Sequence, residues 1–375
     1  MKFIKKNIPN FLILFILERR YIFSEINKKH GKSIKKIIDK NVNSLSIDNE
    51  KKWIKKLNKL TYAFPDLYDV AESFASAEIK ILKNVGVKQN DLIAICIAKN
   101  DLIKIKKFIT YHRNLGIDKF VILDNDSTDG SVEWLSNQDD VIVMQTKMPY
   151  TTNRREGWIN RIIAHYGDER WYFVADSDEL LDYNNSENMT IKDVINFYKK
   201  NNIIRGRALM LDMYATAPYY SKGKLENFYE ECKFFDKDTY YSSPRKYIDL
   251  VCGGPRERIF NEAPWLTKYP LFYFRKQDVE CKSHFLFPFK ENLNSECNIV
   301  LKHYKFQPGE YEKYKKIAES GNYFKGSRQY KNYVKVWENM KELNFLCDST
   351  FEYKNSNSLA EINVYKRINW KIGDK

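Results

Sequence analysis

The stretch Trp171-Tyr-Phe-Val-Ala-Asp-Ser-Asp-Glu-Leu-Leu181 is an apolar run that ends abruptly in three carboxylates. An apolar run bounded by charge is typical of a buried strand. Ligands of open α/β sheets bind beyond the carboxyl ends of the strands. Crowded carboxylates repel one another unless a cation or a proton neutralises them, and Mg²⁺ shares carboxylate oxygens with phosphates. The segment therefore predicts a divalent metal that holds a diphosphate; the alternative is an ordinary acidic turn.

Strand and helix patterns alternate around this segment. Apolar runs predict strands at 91–98, 120–123 and 141–145 and in the run that begins at Trp171. Apolar residues at helical spacing predict helices at 102–115, 131–137 and 156–165. Such alternation predicts a mostly parallel sheet with right-handed crossovers. Because polar clusters follow three of the strands, at 99–101, 124–130 and 176–179, we expect them on one edge of the sheet.

The loop Asp124-Asn-Asp-Ser-Thr-Asp-Gly130 superficially resembles a calcium-binding loop. That pattern requires Gly at its sixth position and Glu at its twelfth, where this chain has Asp129 and Leu135. Calcium binding is therefore rejected. A polar turn that caps the next helix and a loop that contacts a nucleotide are both compatible with the residues.

The chain resembles bacterial family-2-type glycosyltransferases of the GT-A fold, in a D-x-D-E subgroup related to family-92-like enzymes. The segments that carry this resemblance are Lys99-Asn-Asp101, Tyr111-His-Arg-Asn-Leu-Gly116, Asp124–Ser131, Asp176-Ser-Asp-Glu179, Gly253–Arg258, Leu266–Leu271 and Leu301–Phe306. It covers residues 90–310 and implies a Rossmann-like mixed, mostly parallel sheet flanked by helices. It also implies Mn²⁺ or Mg²⁺, a nucleotide-sugar donor such as a UDP-sugar, and a saccharide or lipid-linked acceptor, in the synthesis of a bacterial surface polysaccharide.

The resemblance assigns roles to individual residues. Asp176 and Asp178 match the pair that contacts the metal and the ribose or diphosphate. Asp124 and Asp126 match the loop that reads the base. His303 matches a late histidine that completes the metal shell, although a lone histidine is more often structural.

The first polar cluster and the later basic residues complete the donor site that the resemblance implies. Lys99 and Asn100 are expected to contact the nucleotide. Guanidinium and ammonium groups bind phosphate oxygens, so Arg256, Arg258 and Lys268 are expected to face the diphosphate. The alternative for these three is a solvated loop.

The general base is not marked by a motif. An inverting transferase, as this resemblance implies, needs a carboxylate within hydrogen-bond reach of the acceptor hydroxyl. The chain lacks the acidic pair that many family-2 enzymes have beyond the D-x-D strand. Asp212 and Glu179 are the candidates, and Glu179 is alternatively a support for the metal cluster.

The formal net charge of +14 is unevenly distributed. Residues 1–60 contain 16 Lys/Arg and 5 Asp/Glu, which is a net charge of +11. The apolar run 10–17 is shorter than the roughly 20 residues that span a bilayer, and 51–60 fits a basic amphipathic helix with Trp53 and Leu57 on its apolar face. We expect a buried helix or an interfacial helix that binds anionic lipid at the inner face of the cytoplasmic membrane.

Composition predicts a basic helical N-terminal extension (1–88) and a C-terminal helical and aromatic extension (311–375). The resemblance implies a GT-A domain between them (89–310). Six cysteines without C-x-x-C spacing predict free thiols in a reducing cytoplasm. No zinc-finger, helix-turn-helix or RNP pattern accompanies the basic charge, so nucleic acid is not an expected partner.

Two other classes of function stay open. A nucleotidyltransferase usually needs a glycine-rich basic loop near the first strand, and Lys99-Asn-Asp101 is not one. A non-catalytic saccharide-binding or scaffold protein would tolerate a decayed site, whereas Asp176 and Asp178 are both present.

Overall fold

The computed structural model describes residues 52–53, 56–57, 68–216, 228–245, 248–281, 284–293, 296–307, 310–339 and 343–370. The apolar run at 10–17 lies outside the described residues. The first half of the described chain contains α1 (Tyr68–Ala75), β1 (Lys80–Lys83), β2 (Ile93–Ala98), α2 (Leu102–Asn114), β3 (Lys119–Asp124), α3 (Ser131–Ser136), β4 (Val141–Gln145), α4 (Thr152–Tyr166), β5 (Arg170–Val174), β6 (Glu179–Asp182), α5 (Ile191–Lys200) and β7 (Arg205–Asp212).

The second half of the chain begins with shorter elements and ends in two longer helices. It contains α6 (Phe228–Glu231), β8 (Phe234–Asp236), β9 (Tyr240–Arg245), β10 (Ile248–Gly253), α7 (Gly254–Phe260), β11 (Thr267–Phe274), β12 (Val279–Cys281), β13 (Phe285–Phe287), a 3₁₀ helix (Phe289–Leu293), β14 (Cys297–His303), α8 (Tyr311–Ser320), α9 (Phe324–Asn339), β15 (Thr350–Glu352) and a 3₁₀ helix (Ser356–Glu361).

In the described part of the chain, nine strands form one sheet in the order β1-β4-β3-β2-β5-β11-β7-β14-β6. β2 is parallel to both β3 and β5, β3 to β4, and β7 to β14, whereas β1, β11 and β6 pair in the antiparallel sense. The fold is therefore α/β with a mixed, mostly parallel sheet flanked by helices, as predicted. The chain moves from β2 to β3 on one side and later returns to β5 on the other, which makes the carboxyl ends of β2 and β5 a topological switch point.

Both faces of the sheet are covered. On β2, Ile93 and Ile95 belong to the core that includes α1 and α4, whereas Ala94 and Cys96 belong to the core that includes α2 and α5. Burial on both faces explains why this strand is apolar throughout instead of alternating.

The boundary predicted at residue 88 falls inside the fold. β1 pairs with β4, and α1 packs on α4. Trp53 and Leu57 are buried, and the Trp53 ring lies 5.5 Å from that of Phe74 and 6.0 Å from that of Phe274. These two side chains of the predicted amphipathic helix are therefore covered by protein and not by lipid.

The predicted C-terminal extension packs on the sheet domain. Phe306, which follows β14, stacks on Phe260 of α7 and contacts Tyr333 of α9. Three residues with left-handed backbone, 325–327, lie at the start of α9.

The described residues contain no helix long and apolar enough to cross a membrane. The described residues form no disulfide, and of the six cysteines Cys347 is partly exposed and the others are buried.

Candidate functional site

The carboxylates of the D-x-D-E motif lie in a link that crosses the edge of the sheet. β5 ends at Val174 and β6 begins at Glu179, yet β11, β7 and β14 lie between β5 and β6. The link therefore passes over the ends of those three strands. β11 runs antiparallel, so its first residues lie at the same edge as the carboxyl ends of β7 and β14.

A histidine between two aspartates is the centre of the site. His303, at the end of β14, places Nδ1 2.7 Å from Oδ1 of Asp212, at the end of β7. Its Nε2 lies 3.8 Å from Oδ2 of Asp178. An ionised carboxylate only accepts hydrogen bonds, so Nδ1 donates to Asp212, and Nε2 is the ring nitrogen that faces Asp178.

Arg256 keeps the supporting carboxylate ionised. Burial alone would raise the pKa of Asp212, but Arg256 and His303 outweigh it and hold this pKa below its usual value. Nε of Arg256 donates to the second Asp212 oxygen at 2.7 Å. A metal-binding imidazole is typically oriented in this way by a carboxylate on its other nitrogen.

The distance between the possible ligands suits one cation. Two ligands about 2.1 Å from a common ion lie roughly 3 to 4 Å apart, and the Nε2–Oδ2 separation is 3.8 Å. The Asp178 side chain is 22% exposed, so a ligand can reach it. Among the described residues, no cluster of three or more His, Cys, Asp or Glu side chains could hold a metal by itself. Two protein ligands suit an ion such as Mg²⁺, which takes its other ligands from phosphates and water.

Asp176 is held by two cations. Arg155 of α4 donates to Oδ1 from Nη2 at 2.8 Å and from Nε at 3.2 Å. Nζ of Lys268, on β11, lies 3.7 Å from Oδ2. Burial would raise the pKa of Asp176, but these cations lower it, and 44% of the side chain is exposed. Arg155 was missed by the sequence analysis, because no motif marks it.

The two predicted general bases are buried supports. The side chains of Glu179 and Asp212 are each 1% exposed. Nζ of Lys268 lies 2.8 and 2.6 Å from the Glu179 oxygens, and Glu179 also accepts from the backbone N–H of Asp176 at 2.9 Å. Each carboxylate is already engaged within the protein, Glu179 by Lys268 and Asp212 by Arg256 and His303. Glu179 holds the turn at Asp176, which was its alternative interpretation, and Asp212 orients His303.

The first two polar loops adjoin, as predicted. The Asn100 N–H donates to Oγ of Ser127 at 2.9 Å, and the Thr128 N–H donates to Oδ1 of Asn100 at 2.8 Å. Lys99 and Asp126 are exposed on these loops, and Asp126 has left-handed backbone with φ 63°. The loops therefore form one polar surface at the switch point.

Asp124 has an unused acceptor at this surface. The residue is 1% exposed. Its Oδ2 accepts from the Ser127 N–H and from Nε2 of Gln145, each at 3.1 Å. Its Oδ1 is buried and has no hydrogen-bond partner among the described residues. A ligand with an N–H donor, such as a uracil base, would satisfy this oxygen.

Arg256 and Arg258 were predicted to face a diphosphate, but the structure pairs each of them with an aspartate. Arg256 is buried against Asp212, and Nη2 of Arg258 lies 3.0 Å from Oδ1 of Asp236, away from the D-x-D link. Of the three basic residues expected at a diphosphate, the structure places Lys268 beside Asp176.

The C-terminal region closes one side of the site through Asp101, which the sequence analysis did not single out. Nζ of Lys313, on α8, donates to Oδ1 of Asp101 at 2.8 Å, and Oγ of Ser177 donates to its Oδ2 at 3.0 Å. Glu310, at the start of α8, lies 3.3 Å from Nζ of Lys104. Asp101 and Glu310 are each 16% exposed, so they are more accessible than Glu179 and Asp212.

Comparisons with known proteins add no family. No protein-family model matches this sequence, and no curated protein matches it.

Proposed function

We propose that this protein is a metal-dependent glycosyltransferase of the GT-A type, which transfers a sugar from a nucleotide-sugar to an acceptor hydroxyl. The observation that carries the proposal is the line Asp212–His303–Asp178 at the carboxyl edge of the sheet. This line lies on the same edge of the sheet as the switch point, where ligands of such sheets bind, and the unpartnered Oδ1 of Asp124 lies on that edge at the end of β3.

The donor is held by groups that differ in role. Asp178 and Nε2 of His303 would hold Mn²⁺ or Mg²⁺, which would supply positive charge to the diphosphate. Asp176, kept ionised by Arg155 and Lys268, contacts the ribose or the diphosphate. Oδ1 of Asp124 accepts from the base, and a UDP-sugar supplies the matching N–H.

The reaction needs a carboxylate that Asp212 and Glu179 do not provide. The acceptor oxygen attacks the anomeric carbon, the bond from that carbon to the phosphate oxygen breaks, and the hydroxyl proton passes to a base. Asp101 and Glu310, which are partly exposed and carry no other role in the donor site, are the carboxylates that we propose for it. We propose an inverting transfer to a saccharide or lipid-linked acceptor, in bacterial surface polysaccharide synthesis at the inner face of the cytoplasmic membrane.

The test measures metal affinity and nucleotide binding together. Purified protein is titrated with Mn²⁺ in the presence of UDP, and its thermal stabilisation is followed. We expect Asp178→Asn and His303→Gln to raise the half-saturating Mn²⁺ concentration by about tenfold or more. Asp168→Asn is the control. Asp168 precedes the first residue of β5, at the edge of the sheet opposite the site, so this change should leave the titration unchanged.

A second readout identifies the reaction. A panel of UDP-sugars is incubated with Mn²⁺, and the released nucleotide is quantified. Release of nucleoside diphosphate by the wild-type chain, with loss in Asp178→Asn, supports sugar transfer, whereas formation of UTP and a sugar 1-phosphate after pyrophosphate is added points to a nucleotidyltransferase. Absence of stabilisation by every nucleotide and nucleotide-sugar with Mn²⁺ contradicts the proposal.

A further inference from the structure

A cavity of about 150 Å³ has Leu180, two residues after Asp178, in its lining. The lining also includes four tyrosines (Tyr111, Tyr229, Tyr304 and Tyr353), Glu230 and three lysines, among them Lys302, and we call this cavity the tyrosine pocket.

The wall of the pocket is continuous with the candidate metal site. Tyr304 directly follows His303, and its backbone N–H donates to the carbonyl oxygen of Asp178 at 2.9 Å. Burial raises the pKa of the Tyr229 hydroxyl, and Tyr304 and Asp178 raise it further. The pocket and the proposed donor site are thus neighbours, because Lys302 and Tyr304, on either side of His303 in the chain, line the pocket.

The floor of the pocket is polar. Nζ of Lys302 lies 4.1 Å from the ring centre of Tyr353 and 5.2 Å from that of Tyr111. Asp182 balances this charge, at 2.9 Å from Nζ of Lys302, and accepts from the Tyr353 hydroxyl at 2.5 Å. A purely apolar ligand would displace water from these polar groups without replacing its hydrogen bonds, which costs free energy.

One hydroxyl group in the wall, that of Tyr229, lacks a hydrogen-bond partner among the described residues. This hydroxyl is buried. The Tyr229 ring packs edge-on against Tyr304, with ring centres 4.6 Å apart. Buried tyrosine hydroxyls usually find a partner, so this one is available to a ligand.

Size and lining together select a ligand. A cavity of about 150 Å³ accommodates a single six-membered ring. Aromatic faces with adjacent hydroxyl groups suit a ring that has both apolar C–H faces and polar substituents. We infer that the tyrosine pocket binds one pyranose ring of a saccharide acceptor, with the Tyr229 hydroxyl bonded to a sugar hydroxyl. This inference rests on the proposed function, because it supplies the acceptor of that reaction.

The test uses simple sugars as probes. Saturation-transfer NMR is recorded on the full chain with UDP and Mn²⁺, and with methyl β-glucopyranoside, methyl β-galactopyranoside and methyl N-acetyl-β-glucosaminide as separate probes. We expect at least one probe to bind. Tyr229→Phe should weaken that binding by roughly 3- to 10-fold, as expected for one lost hydrogen bond, without loss of folding, because the hydroxyl has no partner to lose.

Tyr166→Phe is the matched control. The Tyr166 hydroxyl is also buried without a hydrogen-bond partner among the described residues, but it lies at the end of α4, outside the tyrosine pocket. Equal binding by Tyr229→Phe and Tyr166→Phe overturns the inference, and so does the absence of binding by every probe. Stabilisation of the wild-type chain by UDP and Mn²⁺ is measured on the same sample, so that failure of the pocket and failure of the proposed function are told apart.

Discussion

At the scale of the residue, hydrogen-bond partners distinguish the structural role of His112 from the proposed ligand role of His303. The ring of His112 is fully buried, with Nδ1 donating to the Phe108 carbonyl at 2.8 Å and Nε2 accepting from the Leu181 N–H at 3.1 Å. Both nitrogens of the neutral ring are therefore used by the backbone. His303, in contrast, has a carboxylate on one nitrogen and faces a second carboxylate with the other.

The burial of His112 makes stability depend on pH. Burial lowers its pKa to about 3, whereas an unfolded histidine has a pKa of about 6.5. Between these values the unfolded state binds one more proton. The contribution is therefore complete above about pH 6.5 and declines by up to about 1.4 kcal/mol for each pH unit below it.

Urea denaturation at several pH values between 4.5 and 7.5 tests this prediction. His112→Gln should show a shallower fall in the free energy of unfolding as the pH drops, because glutamine does not titrate. His165→Gln, near the end of α4, serves as the control. A slope in His112→Gln as steep as that of the wild-type chain would count against the argument.

The sequence predicted the acidic residues of the site better than their partners. Asp176 and Asp178 are close together at the end of an apolar run, and this spacing is enough to place both at the edge of the sheet. Arg155 meets Asp176 only because α4 packs beside β5, and spacing along the chain carries no sign of this contact. The burial of Asp212 likewise depends on Arg256, which belongs to α7.

At the scale of the element, the sequence predicted the fully buried parallel strands best. β4 begins and ends where its apolar run does, and β2 and β3 lie within two residues of their predicted bounds. β1 was not predicted, because its side chains are half-exposed and basic. β6 was not predicted as a separate strand. Its residues continue the apolar D-x-D-E segment, and the link between β5 and β6 is shorter than the usual connection between strands.

The contact between α1 and α4 depends on one glycine. A Cβ atom at Gly157 would lie 2.5 Å from Cβ of Ser73 and 2.6 Å from the backbone nitrogen of Phe74. Glycine to alanine within a helix usually stabilises by about 0.5–1 kcal/mol. Gly157→Ala should instead lower the free energy of unfolding by about 1–3 kcal/mol, because the two helices must move apart.

Chemical denaturation of the two variants measures this difference. Gly86→Ala is the control, since a Cβ atom there has no neighbour within 4 Å among the described residues, and its effect should stay within about 0.5 kcal/mol. If Gly157→Ala is as stable as Gly86→Ala, the close packing of α1 on α4 is not what holds this part of the fold.

At the scale of the whole molecule, the basic N-terminal segment divides into two parts. Residues 1–50 contain 11 Lys/Arg and 5 Asp/Glu. Trp53 and Leu57 belong to the core and contact the sheet domain. A truncation can therefore remove the charge of residues 1–50 and keep the packing of Trp53 and Leu57.

Two truncations exploit this division. Removal of residues 1–50 should keep the melting temperature and reduce co-sedimentation with phosphatidylglycerol vesicles, with binding by the full chain falling as salt screens the charge. Removal of residues 1–60 also deletes Trp53 and Leu57 and should destabilise the fold by several kcal/mol, in line with the roughly 3–5 kcal/mol lost when a buried Trp is truncated. Vesicle binding that survives removal of residues 1–50 would exclude this segment as the lipid contact.

The contact of Lys313 with Asp101 joins two parts of the chain that are synthesised at different times. Domains fold as they leave the ribosome, beginning from the N-terminus. Most of the sheet is complete once β11 has been made, but His303 and α8 follow only later in the chain. A nascent chain therefore acquires its central strands before the strand that carries His303, and a product that stops short of residue 303 has the acidic link without the imidazole that faces it.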